Sequence, residues 1–192
     1  LIEKGFLKKI SQFVGVIFGL HSFKKEFIVL KSGHNMMPHE ITDVIKVEWL
    51  TGCCFWLKQN VFNEFQFEEK FVKWAYGEDK LLSYQIYKKY PNTLYYYPKA
   101  QLYHYESPKA RLQGEEKIIL KTIYHFWFFY KCINKNYFFF WWRNLGEFML
   151  YFVSACLGKE FFINSWYYLK SNCILIKNLK IIKKGDFKQF IK

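Results

Sequence analysis

The sequence predicts an α/β domain followed by a mainly helical tail. Short apolar runs over residues 1–112 are punctuated by Gly, Pro and Asn, as short strands and turns require. Beyond residue 115 there is no proline, and aromatic and Lys residues dominate over lengths that suit helices. The chain has 192 residues, 52% of them hydrophobic, which is enough for one packed domain with an appendage and excludes a disordered chain.

The elements follow in order. Val44 to Leu50 has strand composition, with Val47 and Trp49 on one face. Gly52 precedes a second strand-like run, Cys53 to Leu57, and Asn60 to Phe65 reads as a helical turn. Gly77-Glu78-Asp79 opens a helix that runs to Tyr90 and stops at Pro91, with Leu81, Leu82 and Ile86 inward and Lys80, Lys88 and Lys89 solvated. Thr93–Tyr97 and Ala100–Tyr105 read as strands ended by prolines. The expectation is one mixed sheet from 44–58 and 93–105, with helix 78–90 packed on it. In the tail, Asn136, Arg143, Glu147 and Ser154 fall within about 40° on a helix otherwise almost wholly apolar. That pattern suits an interfacial helix on an anionic membrane face, or a helical hairpin packed on the domain.

Lys plus Arg is 29 against 16 for Asp plus Glu, a net charge of +13, which favours a polyanionic partner. Abundant Lys, Ile, Asn and Phe is also what AT-rich codons produce, so part of the charge can be compositional. The Lys residues are spread along the chain, and no RNP, zinc-finger or helix-turn-helix signature occurs, so no nucleic-acid partner is expected. A polytopic membrane protein is excluded. The uncharged stretch Ile10–Phe23 is too short to span, and Arg143 and Glu147 break Tyr137–Leu157. The five cysteines show no C-x-x-C spacing and give no zinc site.

Glu78-Asp79 is the sharpest chemical feature. A helix N-terminus favours ionised carboxylates through its unpaired N–H groups and dipole. A carboxylate held there can accept a proton from a sugar hydroxyl; acidic residues are also simply common in first helical turns. Trp74 and Tyr76 stand just before the pair and offer faces for sugar stacking or for core packing. Lys109 and Arg111 follow the last strand, in reach of a diphosphate or of solvent.

Four motifs occur in a fixed order: Trp49-Leu50-Thr51-Gly52, then Phe67-Glu68-Glu69, then Gly77-Glu78-Asp79, then Pro98-Lys99-Ala100 with His104. Their order and spacing resemble the acceptor-side half of family 2 glycosyltransferases of the GT-A fold, in the rhamnosyltransferase-like branch, over about residues 30–112. The resemblance implies an inverting transfer from a nucleotide-sugar donor to a glycan or lipid-linked acceptor hydroxyl. It makes Asp79 the general base and has Glu78 hold the acceptor. Gly52 matches the position where the backbone passes close to the sugars, and His104 a histidine that in some relatives lies near the metal or the diphosphate; with Trp49, Trp74 and Tyr76 as further acceptor- and sugar-binding candidates and Lys109 and Arg111 as diphosphate candidates, this is the expected site. A divalent metal, Mg or Mn, is expected mainly from the family's nucleotide-binding half. No D-x-D motif and no phosphate-cradling Gly-rich loop occur here, and the chain begins at Leu1. The expectation is therefore the C-terminal part of a longer enzyme, cytoplasmic and peripheral at the inner face of the cell membrane. The competing reading is a non-catalytic basic module that binds a membrane surface or nucleic acid.

Overall fold

The computed structural model describes residues 12–22, 27–37, 41–52, 54–73, 75–103, 105, 112–133, 136–155 and 159–190, without side chains at 153–155 and 159–161. It corrects the α/β expectation: the chain is mainly helical. Helical residues at 12–17 (α1) are followed by β1 (Ile45–Lys46), α2 (Gln59–Glu64), α3 (Glu78–Lys89) and β2 (Tyr95–Tyr96). The helical part comprises α4 (Gly114–Phe128), extended by a π-helical turn at Phe129–Ile133, then α5 (Tyr137–Ala155), α6 (Lys159–Lys177) and α7 (Leu179–Lys184).

The mixed GT-A sheet expected over 44–58 and 93–105 is not formed. β1 and β2 pair antiparallel, Ile45 opposite Tyr96 and Lys46 opposite Tyr95, as one two-stranded hairpin. An isolated antiparallel bridge joins Val29 to Asn35. The described parts of 53–57 and 100–105 have no regular structure. Strand-like composition reports fitness for a half-buried surface, not the presence of a neighbour to pair with. Side chains replace the missing ladder. Glu48 accepts from Val29 N–H (2.7 Å) and Tyr87 O–H (3.3 Å), and the Trp49 indole donates to Met36 O (3.0 Å).

The α3 expectation is borne out almost to the residue. Gly77 takes the left-handed conformation (φ 85°) that starts the helix; Glu78 and Asp79 stand at its positive end and Lys88 and Lys89 at its negative end. Its inward residues divide. Leu82 and Ile86 join Phe27, Val47, Trp49 and Leu94 in a small core, while Leu81 joins the large helical core. Lys80, expected in solvent, is buried, because its head lies over the Phe128 ring and beside Gly33 O and Asn35 Oδ1.

The tail is helical as expected. α4 is apolar nearly all round from Ile118 onward, which makes it the central helix. α5 and α6 pack against each other, and α6 against α4. Of the polar stripe, Arg143 is buried and Glu147 half-buried, while Asn136 is exposed ahead of α5 and the Ser154 side chain lies outside the described set; Asn144, off the stripe, is buried too, and Phe138, Leu145, Met149 and Phe152 are exposed. Among the described residues, no helix is long and apolar enough to cross a membrane.

Candidate functional site

Two polar anchors bring distant segments to the start of α3. The Ser83 hydroxyl, one turn in, donates to Asp79 O (2.7 Å) and accepts from Leu50 N–H (2.9 Å), pinning residues 50–52 across the helix end. The Tyr124 hydroxyl of α4 donates to Val72 O (2.8 Å) and accepts from Val72 N–H (3.0 Å), fixing the segment that leads into Tyr76 and Gly77.

Between these segments lies an open cleft of about 500 Å³, bordered by Trp49, Gly52, Tyr76, Glu78, Asp79 and Lys80. Asp79 is held by two backbone donors: Gly52 N–H to Oδ2 (2.6 Å) and Lys80 N–H to Oδ1 (2.7 Å). Each oxygen keeps a second lone pair for another donor. A β-carbon at Gly52 would stand 3.1 Å from Asp79 Cβ, so the absence of a side chain there permits the short hydrogen bond. The Glu78 carboxylate has no hydrogen-bond partner among the described residues; burial, and then the charge of Asp79, push it above the usual range. The two carboxylates therefore differ. One is fixed and solvated by amides, while the other is poised to hold or release a proton at a higher pH.

The cleft thus gathers Trp49, Gly52, Tyr76, Glu78 and Asp79, five of the site residues expected from the sequence. Trp49 is buried with its N–H already engaged, so it forms a wall rather than an open stacking platform. Tyr76 is half-buried, with Lys121 Nζ 5.8 Å from its ring centre. Trp74, His104, Lys109 and Arg111 lie outside the described residues. Among the described residues no group of three or more His, Cys, Asp or Glu converges, and His104, the residue expected near a metal, lies outside them.

The sequence reading missed Lys80, whose head sits 4.1 Å from the centre of the Phe128 ring and 3.4 Å from both Gly33 O and Asn35 Oδ1. Burial, and then the charge of Arg143, pull its pKa down to about 7. Its position next to Asp79 was the one available signal. The helical spacing that puts Asp79 over Ser83 carries Lys80 toward Phe128, a contact that only the fold creates.

Compared with known proteins, the chain matches no family model, no curated protein and no solved structure.

Proposed function

We propose that this chain carries the acceptor side of a sugar-transfer site, with Asp79 as general base. The observation that supports this is the cleft at the start of α3, which brings Gly52, Tyr76, Glu78 and Asp79 together although up to 27 residues separate them in sequence. In the reaction, an acceptor hydroxyl gives its proton to the free lone pair of Asp79 as its oxygen attacks the anomeric carbon of the donor sugar. The bond from that carbon to the diphosphate oxygen breaks, the nucleoside diphosphate leaves with the electron pair, and the anomeric configuration inverts. Glu78, with its raised pKa, donates to or accepts from a second acceptor hydroxyl and orients it. Donor binding and the divalent ion fall to residues outside the described set.

The apolar outer faces of α5 and α6 support work at a membrane surface. On α6, Phe162, Trp166, Leu169 and Ile176 are exposed at heptad-like spacing, with exposed Lys177 and Lys180 beyond them. Lipid-linked acceptors would be met there.

The test has two parts. Saturation-transfer NMR of this chain with a panel of mono- and disaccharides should show binding that Tyr76→Ala weakens. In transfer assays, Asp79→Asn should lower turnover by ~10²–10⁴-fold while carbohydrate binding changes little, since an amide cannot take the proton. Near-normal turnover in Asp79→Asn, or no carbohydrate binding at all, overturns the proposal.

A further inference from the structure

Behind the cleft, beyond Asn35 and Tyr76, lies a chamber of about 60 Å³ among α4, α5, α6 and the turn at 33–35. It has room for about four waters or one small polyatomic ion, and is far too small for a sugar or a nucleotide. Its charged groups come from separate elements. α5 brings Arg143 and Glu147, α4 brings Lys121 and His125, and the turn brings His34. Arg143 Nη2 pairs with Glu147, Lys121 Nζ lies 3.6 Å from the same carboxylate, and the Tyr168 hydroxyl donates to it at 3.2 Å. One carboxylate thus serves two cations. Arg143 is 4% exposed, its Nη1 donates to Asn144 Oδ1 (2.9 Å), and its Nε is buried with no partner among the described residues. A buried cation without full compensation is expensive. A guanidinium with an unused N–H beside an ammonium is also the donor set that suits an oxyanion.

We propose that this chamber binds one tetrahedral oxyanion of the phosphate class, held by Arg143 and Lys121 with the His34 ring beside it. The assignment does not depend on the sugar-transfer reading. The imidazoles report the same field. His34 is depressed to about 3 and His125 well below its ordinary value, by burial first and then by Arg143 and Lys80, with Lys121 also acting on His34. An anion in the chamber reverses the Coulomb part of that depression. The ion is either free phosphate or the phosphoryl end of an ester that enters past Asn35 and Tyr76.

The experiment titrates the chain with inorganic phosphate against sodium chloride of equal ionic strength, followed by calorimetry, thermal melting and imidazole NMR. Saturable binding should raise the melting temperature and shift the His34 and His125 ring signals, because the anion would stand in the cavity that both rings line. Lys121→Met, which removes a partly exposed head and keeps the Arg143–Glu147 pair, should weaken phosphate about tenfold or more, equivalent to 1.4 kcal/mol. A glucose 1-phosphate arm separates the sources: competition with phosphate at the Lys121-dependent site identifies an ester, and no competition identifies the free ion, and either result upholds the site. No stabilisation beyond chloride, unmoved imidazole signals, or wild-type affinity in Lys121→Met overturns the proposal.

Discussion

At the residue scale, the start of α3 sets three adjacent side chains in three environments. Glu78 is half-buried and raised, Asp79 is clamped by Gly52 and Lys80 amides, and Lys80 is buried over the Phe128 ring. Lys80 has a folded pKa below its unfolded value, about 7 against 10.5. The unfolded chain therefore binds that proton more readily between pH 7 and 10.5, and stability rises with pH across this window. The destabilising contribution is full below pH 7 and fades toward pH 10.5. Lys80→Met should consequently be more stable than wild type at pH 6, by at least about 1 kcal/mol, with the advantage shrinking by pH 10. Urea denaturation at both pH values checks this. An advantage that does not depend on pH would mean that the Phe128 face and the Gly33 and Asn35 oxygens already compensate the charge. The Glu78-Asp79 pair was legible in the sequence because first-turn carboxylates follow a local rule. The burial of Lys80 was not, since it depends on Phe128, which lies on α4.

At the element scale, α5 reverses the usual amphipathic arrangement. Its charges face α4 and α6, and much of its apolar surface faces outward. The sequence showed the stripe of Asn136, Arg143, Glu147 and Ser154 through its 3.6-residue period, but periodicity alone does not say that Arg143 and Glu147 are turned inward while Asn136 stays exposed. The partners decide it. Tyr168 and Asn172 of α6 and Lys121 of α4 supply the polar groups that Arg143, Asn144 and Glu147 require. Glu147→Gln should leave Arg143 and Lys121 without their shared carboxylate and lower stability by about 3–5 kcal/mol. The double variant Arg143→Met, Glu147→Met should lose much less, because the only cation left without the carboxylate is the partly exposed Lys121. Chemical denaturation of both proteins measures the difference, and equal losses would mean that shape rather than charge governs the seam. The strands failed to appear for the complementary reason. Runs such as Phe55–Leu57 have the right composition, yet a ladder needs a neighbour, and among the described residues Tyr95–Tyr96 provides one only opposite Ile45–Lys46.

At the scale of the whole molecule, the small core around Val47, Trp49 and Leu82 and the large core around α4 meet through α3. The helical tail is therefore bound to the segment that carries the carboxylates, as the packed-hairpin alternative anticipated. The outer faces of α5 and α6 remain apolar on a chain of net charge +13. The intact chain should float with vesicles rich in anionic lipid, bind neutral vesicles less and release partly at high salt, each nearby basic residue contributing about 1 kcal/mol. Ser in place of Leu145, Met149 and Phe152 should weaken flotation even at low salt, since these side chains are exposed while Phe148 and Leu150 are half-buried. Equal recovery with and without vesicles would assign the charge to composition.

The turn after α7 has a consequence for the order in which the molecule can be made. Gly185, at φ 78°, lies so close to the Trp127 ring that a side chain there would collide with it, and the Lys70 ammonium donates to Lys184 O (3.3 Å). Phe187 then inserts, 1% exposed, against Phe71, Tyr124 and Trp127. Tyr124 is the side chain that holds Val72, and through it the segment leading to Gly77 and the carboxylates. A side chain about a hundred positions downstream of the carboxylates therefore completes the support of their cleft. A nascent chain stalled before Phe187 would carry Glu78 and Asp79 on an unfinished scaffold, so the support of the cleft waits for a residue synthesised well after its own.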